Sequence, residues 1–287
     1  MYTTLIEPAA LAARGAEPDW AVVDCRFDLA RPAWGEQAFC AGHIPPALYA
    51  HLDRDLSGPV TPHSGRHPLP SVAALRTTFS GWGIDAQVQV IAYDQNNGMF
   101  AARLWWLLRW VGHVRVAVLN GGFAAWQQAG MPVSSQVAVR AARRFELGPP
   151  AAGIVSTREL AGWVRSGALT RREQILIDAR AADRFAGENE TLDPVAGHIP
   201  GARNHPFAGN LDSHGRFISA QRLREQWLAR LEGAPARQSI AMCGSGVTAC
   251  HNLLALELAG LPGGRLYDGS WSEWIRDRGR PVQTGEA

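Results

Sequence analysis

The sequence Ala-Gly-His-Ile-Pro occurs twice in this chain, at residues 41–45 and again at residues 196–200. Each copy is preceded by a short apolar run that ends in an aspartate and is followed by two further apolar runs. The paired runs are 21–24 with 175–178, 88–94 with 239–243, and 116–126 with 265–274. Landmarks in the same order at nearly constant spacing indicate an internal duplication. The period is far too long for a solenoid, so the sequence predicts two tandem domains of one fold.

Short apolar runs alternate with helix-like segments in both halves of the chain. This alternation favours an α/β fold in which a mostly parallel sheet carries helices on both faces. A stretch with two adjacent prolines and no periodicity separates the halves. We therefore predict an N-terminal domain at 1–133, a linker at 134–152 and a C-terminal domain at 153–287. The helices are predicted at 72–82, 99–111, 157–166, 220–231 and 247–260.

Composition and charge exclude several classes of protein. The 287 residues carry a formal net charge of +2, which is too small to predict a nucleic-acid or anionic-membrane partner. No apolar run is long enough to span a membrane, and the N-terminus lacks the features of a signal peptide, so we expect a cytoplasmic protein. The four cysteines do not form a disulfide pattern, and they include no Cys-x-x-Cys pair that would indicate structural zinc.

The stretch Cys-Gly-Ser-Gly-Val-Thr-Ala-Cys at 243–250 joins a predicted strand to a predicted helix. Gly244 and Gly246 allow the backbone to turn tightly, so that several amide N–H groups point inward. A thiol that faces these groups and a helix N-terminus is expected to be held as thiolate, which makes Cys243 the candidate nucleophile. The first half has Asp94 at the corresponding place, so the reactive site is predicted in the second half.

These motifs resemble the rhodanese superfamily in its two-domain sulfurtransferase form. The resemblance rests on the loop at 243–250, the paired Gly-His-Ile-Pro elements and the closing Asp-Gly-Ser-Trp at 268–271, and it covers nearly the whole chain. It implies a catalytically silent N-terminal domain. It also implies that sulfur moves from a small-molecule donor through a persulfide on Cys243 to an acceptor. That acceptor would be a thiol, cyanide or a thioredoxin-like reductant, and no metal or organic cofactor would be required.

The resemblance also implies which side chains assist the cysteine. The Gly-Ser pair after Cys243 is similar to the 3-mercaptopyruvate branch, whereas thiosulfate enzymes more usually carry Arg-Lys there. In the mercaptopyruvate branch a Ser-His-Asp set assists the cysteine, and the matching residues here are Ser245, His67 and Asp53. Thiosulfate remains the alternative donor.

The resemblance further implies that an arginine shortly after the first strand of the second domain binds the donor's anionic end, and Arg184 matches it. The mercaptopyruvate branch has a second arginine nine residues later, where this chain has Asp193. Arg203 is a candidate substitute for it. The remaining donor-binding positions are expected in the loop, at Gly244, Gly246, Val247 and Thr248.

Each of these residues also has a simpler structural interpretation. Ser245 could cap the following helix, and His67 could be a solvated surface residue. Arg184 could form an ordinary ion pair with Asp178 or Asp183. The histidines of the repeated motif occur in both halves and are therefore assigned to the fold.

Three other classes of protein agree less well with the sequence than a sulfurtransferase does. Residues 244–249 match the Gly-x-Gly-x-x-Ala dinucleotide fingerprint, but the first half lacks it. A cysteine phosphatase would need an arginine where the chain has Ala249. A non-catalytic binding module of the same fold has no need of the retained Cys243.

Overall fold

The computed structural model describes residues 1–285. It contains two five-stranded sheets, and the chain divides into two compact units. The first unit comprises Met1–Gly58, Leu69–Ala151 and Ser213–Phe217. The second unit comprises Pro59–Pro68, Ala152–Asp212 and the chain from residue 218 onward.

The first unit has an all-parallel sheet with strand order β1-β5-β4-β2-β3. Its strands are β1 (Leu5–Ile6), β2 (Trp20–Asp24), β3 (Leu48–Tyr49), β4 (Gln89–Tyr93) and β5 (Val116–Leu119). Its helices are α1 (Pro8–Arg14), α2 (Trp34–Ala41), α3 (Leu52–Asp55), α4 (Val72–Gly81), α5 (Ala101–Trp110) and α6 (Gly122–Gln128).

The second unit repeats this sheet with the order β6-β10-β9-β7-β8, again all parallel. Its strands are β6 (Gly153–Ile154), β7 (Ile175–Asp178), β8 (Arg203–Asn204), β9 (Ser239–Met242) and β10 (Arg265–Leu266). Its helices are α7 (Thr157–Ser166), α8 (Ala182–Ala186), α9 (Ala220–Leu231), α10 (Thr248–Leu258) and α11 (Ser270–Trp274), with 3-10 turns at Phe207–Asn210 and Ala236–Gln238.

The central strands of both sheets are buried along their whole length, as their continuous apolar runs predict. Each sheet carries a cluster of buried apolar side chains. The second core packs Leu176 and Ile240 of the sheet with Trp271 and Trp274 of α11. The predicted fold class, two α/β domains built on parallel sheets, is confirmed.

The aspartates that end the duplicated strands hold equivalent loops. Arg26 Nη2 donates to Asp24 at 2.7 Å and to the carbonyl of residue 42 at 2.7 Å. Arg180 Nη2 donates to Asp178 at 2.7 Å and to the carbonyl of residue 197 at 2.8 Å. All four side chains are nearly inaccessible to solvent, and each arginine charge is matched by a carboxylate. These pairs therefore serve the fold in both halves.

The repeated histidines also make equivalent contacts. The Nδ1 atom of His43 lies 2.8 Å from the carbonyl of Phe39, and the rings stack at 4.0 Å. In the second unit, Nδ1 of His198 lies 2.8 Å from the carbonyl of Phe185, and the rings stack at 3.8 Å. The interpretation of both histidines as structural residues is confirmed by this repetition.

The domain boundaries 1–133, 134–152 and 153–287 remain a prediction. The segment predicted as a linker packs on the first unit, where Phe145 lies 5.2 Å from Phe79 and Arg140 donates to the carbonyl of Trp20 at 2.7 Å. Residues 286–287 lie outside the described part of the chain. Within residues 1–285, no helix has the length and apolar character needed to cross a membrane.

Candidate active site

Cys243 lies directly after β9, at the carboxyl edge of the second sheet, and only 2% of it is exposed. Its Sγ accepts a hydrogen bond from the backbone N–H of Gly246 at 3.2 Å. Helix α10 begins at Thr248, so the sulfur sits beside the N-terminus of an eleven-residue helix. Both features stabilise negative charge on sulfur. The predicted placement of Cys243 at a strand-to-helix turn is confirmed.

The loop takes this shape because it is bonded to the first residues of α11. The N–H of Cys243 donates to Ser270 Oγ at 3.0 Å, and the Cys243 carbonyl accepts from the N–H of Trp271 at 3.0 Å. Gly246 has a φ of 80°, and a Cβ there would lie 2.4 Å from the carbonyl oxygen of Asp268. Only glycine fits this close approach.

The first unit shows what this type of loop binds. Asp94 follows β4 as Cys243 follows β9, and its carboxylate is fully buried. Burial raises the pKa of Asp94, and the backbone N–H groups around it act in the opposite direction. The loop therefore presents amides to an anionic group, and the first unit supplies that group from its own chain. The four donors are the N–H groups of Asn96, Gly98, Phe100 and Ala101, at 2.8–3.3 Å.

Ser245 and His67 are brought together in the second unit. Ser245 Oγ lies 2.7 Å from His67 Nδ1, and both residues are 6% exposed. The interpretation of His67 as a solvated surface residue is therefore wrong. A serine hydrogen-bonded to a buried histidine can transfer a proton beside Cys243.

His67 reaches this position because residues 59–68 are part of the second unit. The N–H of Arg66 donates to Ser272 Oγ at 3.0 Å, and Arg276 donates to the carbonyl of Ser64 at 3.2 Å. A Cβ at Gly65 would lie 2.7 Å from the carbonyl oxygen of Gly269. The segment thus rests closely against the turn that also holds the cysteine loop.

Asp53 is an exposed residue of α3 in the first unit, where its N–H donates to the His51 ring at 3.2 Å. Its predicted role beside His67 remains a prediction.

Arg184, on α8, pairs with a carboxylate that the sequence analysis did not anticipate. Its Nη2 lies 2.8 Å from Glu190, whereas Asp178 binds Arg180 and Asp183 accepts the backbone N–H of Arg184. The alternative interpretation of Arg184 as a member of an ion pair therefore named the wrong partners, Asp178 and Asp183. Burial raises the pKa of Glu190, but hydrogen bonds from Arg184 and the backbone leave it below its usual value.

Arg66 is a residue that the sequence analysis missed. A Cβ added to Gly244 would lie 2.9 Å from Arg66 Nη2 and 3.7 Å from Arg184 Nη2, so both guanidinium groups face the cysteine loop. Arg203, the first residue of β8, binds Glu232 at 2.9 Å. It is therefore not the substitute for the second donor-binding arginine. The available signal was the position of Arg66 directly before the candidate His67.

Asp193 lies among these arginines. Its carboxylate forms a close ion pair with Arg66 and lies 3.4 Å from Arg184 Nη2. Burial raises the pKa of Asp193, although attraction to Arg66 opposes the shift. Burial lowers the pKa of Arg180, but attraction to Asp178 and Glu190 raises it above its usual value.

The remaining loop residues lie where the sequence places them. Val247 is buried directly before α10, and Thr248 is the first residue of the helix. Their contacts with a donor, like those of Gly244 and Gly246, remain a prediction. Cys250 is buried, and its thiol lies 3.3 Å from the carbonyl of Gly246, in keeping with a packing role.

Within residues 1–285, no group of three or more potential metal-binding side chains is arranged around a common point.

The sequence model of the rhodanese-like domain matches this chain twice, at residues 7–129 and 159–277. The chain belongs to the rhodanese family. Both halves of the duplication are thus rhodanese-like domains, which confirms the predicted family and argues against the dinucleotide-binding interpretation of residues 244–249.

Rhodanese-family relatives of similar length carry sulfurtransferase names. A Pseudomonas aeruginosa protein named "Probable 3-mercaptopyruvate sulfurtransferase" is 47% identical over 284 residues, covering 98% of each chain. The chicken thiosulfate sulfurtransferase is 34% identical over 243 residues, covering 83% of this chain and 80% of its own. The structure of SseA, a 3-mercaptopyruvate sulfurtransferase of Escherichia coli, superimposes with a TM-score of 0.78 and 30% identity, covering 95% of this chain and all of that one. The predicted relationship to two-domain sulfurtransferases is confirmed.

Proposed function

We propose that this chain transfers sulfur from 3-mercaptopyruvate, through a persulfide on Cys243, to a thiol acceptor. The observation that supports this donor most directly is the 2.7 Å contact between Ser245 Oγ and His67 Nδ1, next to the cysteine in the loop. The names of the relatives support the reaction class.

In the first half-reaction, the Cys243 thiolate attacks the sulfur of the donor. A sulfur–sulfur bond forms while the carbon–sulfur bond of the donor breaks, and the bonding electrons pass to pyruvate as its enolate. Protonation of the enolate carbon then yields pyruvate and leaves the persulfide on the enzyme. The loop amides, including the N–H of Gly246, stabilise the sulfur anion.

The hydrogen-bonded serine and histidine suit this leaving group. An enolate is strongly basic, so a proton donor close to it lowers the barrier to carbon–sulfur cleavage. Sulfite, the product from thiosulfate, leaves as a stable anion and gains little from proton donation. Ser245 with His67 therefore favours mercaptopyruvate as the donor.

The donor carboxylate would be held by Arg66 and Arg184, because both guanidinium groups face Gly244. A guanidinium can grip a carboxylate with two parallel hydrogen bonds, which orients the donor as well as binding it. These contacts put the sulfur of the donor beside Cys243.

In the second half-reaction, an acceptor thiolate attacks the outer sulfur of the persulfide and restores the Cys243 thiolate. We propose a low-molecular-weight thiol or a thioredoxin-like reductant as the acceptor, with cyanide as a small substitute that forms thiocyanate. A cytoplasmic location is part of this proposal.

The test compares the two donors on the wild type and on Cys243→Ser. We expect a higher kcat/KM with 3-mercaptopyruvate, and a mass increase of one sulfur atom in the wild type that the variant does not show. A tenfold preference for thiosulfate, about 1.4 kcal/mol in the transition state, would overturn the donor assignment. Absence of a persulfide with either donor would instead favour a non-catalytic module.

A further inference from the structure

The carboxylate of Asp193 binds both guanidinium groups that face the cysteine loop. It pairs closely with Arg66 and lies 3.4 Å from Arg184, and its side chain is only 3% exposed. In the mercaptopyruvate branch that the sequence resembles, an arginine is expected at this place. The substitution of an acid for a base changes the local charge by two units.

The turn that carries Asp193 is built to hold it there. Glu190 accepts the backbone N–H of Leu192 at 2.9 Å and that of Asp193 at 3.1 Å. The same carboxylate binds Arg184 at 2.8 Å, so the turn and the arginine are fixed to each other. The position of Asp193 follows from these contacts and does not depend on a mobile side chain.

The other two carboxylates of this cluster are bound to Arg180 and Arg184. Asp178 is held by the buried guanidinium of Arg180, in the arrangement repeated by the first unit. Glu190 closes its own turn and bridges to Arg180 at 3.4 Å. Asp193 is thus the carboxylate of this cluster that bonds to Arg66, and it partly neutralises the charge offered to a donor.

We propose that Asp193 selects the donor by charge, favouring a monoanionic carboxylate over a dianion. This inference rests on the proposed function of the same site. A buried negative charge near the arginines repels a second anion, and a dianion such as thiosulfate meets about twice the repulsion of a monoanion. Rejection of the wrong ligand by an unfavourable charge is an established route to specificity.

Asp193→Asn tests the proposal, because it keeps the shape of the side chain and removes its charge. We expect the ratio of kcat/KM for thiosulfate to kcat/KM for 3-mercaptopyruvate to rise by about tenfold. Asp183→Asn is the matched control, since it removes the same charge from a half-buried carboxylate that binds Asn189 and a backbone N–H. The control is expected to change the ratio by less than about twofold.

Binding measurements separate this inference from the reaction itself. In a Cys243→Ser background, the added Asp193→Asn change is expected to tighten binding of sulfate, an unreactive dianion, more than binding of pyruvate. If the wild type uses neither donor, the proposed function fails, while the sulfate-to-pyruvate ratio still decides the role of Asp193. The proposal is overturned if Asp193→Asn leaves the sulfate-to-pyruvate affinity ratio and the donor kcat/KM ratio unchanged. It is also overturned if Asp183→Asn changes these ratios as much as Asp193→Asn does. Should Asp193→Asn fold poorly, Asp193→Ser in the same assays gives the same decision.

Discussion

Ser245 and His67 illustrate how much depends on a single contact at the residue scale. The 2.7 Å separation makes them a pair that can deliver one proton, and both are shielded from solvent. Removal of either member should therefore have nearly the same effect as removal of both, because residues that act as a unit are not additive.

We expect Ser245→Ala to lower kcat for 3-mercaptopyruvate by about 100-fold or more, the usual contribution of a general acid. Turnover of thiosulfate should change much less, since sulfite needs no proton to leave. His67→Gln should reproduce this pattern. The kcat of the double variant should lie within about twofold of the kcat of either single variant. Steady-state kinetics with both donors check this. Equal losses with the two donors would show that the serine acts through binding or through loop shape.

The burial of single histidines adds a measurable pH dependence. His205 is 5% exposed, and burial lowers its pKa, although a hydrogen bond from its ring to Asn210 acts in the opposite direction. The unfolded chain therefore binds a proton at His205 more readily than the folded chain does. The stability that this residue contributes is fully present above about pH 6.5, the usual pKa in an unfolded chain, and is lost as the pH falls toward the lower folded-state pKa.

We expect the free energy of unfolding of the wild type to fall, relative to that of His205→Gln, between pH 7 and pH 5. One proton limits the slope of this difference to about 1.4 kcal/mol per pH unit. Urea denaturation of both proteins at pH 7, 6 and 5 measures it, and the subtraction removes the contribution of the other titrating groups. A difference that is constant with pH would mean that His205 does not titrate in this range.

At the scale of elements, the segment 59–68 carries two site residues that no helix or strand positions. Its place depends on hydrogen bonds to the turn at 268–272 and on the close approach of Gly65 to the carbonyl of Gly269. A side chain at Gly65 must push the segment outward, and Arg66 and His67 would move with it.

We expect Gly65→Ala to lower kcat/KM by about tenfold to 100-fold while the melting temperature changes little, because the segment contributes few core contacts. Gly162→Ala is the control within the same unit, since a Cβ there meets nothing within 4 Å. Because Gly162 lies inside α7, where alanine is the better helix former, Gly162→Ala should stabilise the protein by about 0.8–1 kcal/mol without loss of activity. If Gly65→Ala keeps full activity, the position of the segment is not set by this contact.

At the scale of the whole molecule, the duplication sets an aspartate in one unit against a cysteine in the other. The same sheet and the same strand-to-helix loop occur twice. In the first unit, the backbone N–H groups of that loop donate to the carboxylate of Asp94. That unit therefore holds a carboxyl group of its own where the second unit holds the thiol of the candidate nucleophile.

Asp94→Asn should destabilise the protein by about 1–3 kcal/mol, because an amide nitrogen cannot accept the hydrogen bonds that the second carboxylate oxygen accepts. Activity per folded molecule should be unchanged, since the proposed nucleophile, Cys243, lies in the second unit. Chemical denaturation and the mass of the persulfide form test the two statements. Loss of persulfide formation at full folding would assign Asp94 a part in the reaction.

The sequence by itself determined the duplication, the parallel α/β class, the central strands and the place of Cys243. These features depend on local burial and on turn chemistry, which leave periodic apolar runs and glycines in the chain. Helices 157–166 and 220–231 have the predicted bounds for this reason. The family resemblance suggested that Ser245 and His67 act together, and the tertiary structure alone showed that Arg66 meets Asp193 beside the cysteine loop. His67 and Ser245 are 178 residues apart, and Arg66 and Asp193 are 127 apart. Such pairs are set by long-range hydrogen bonds between loops and by the space around individual glycines, and no local pattern in the sequence records them.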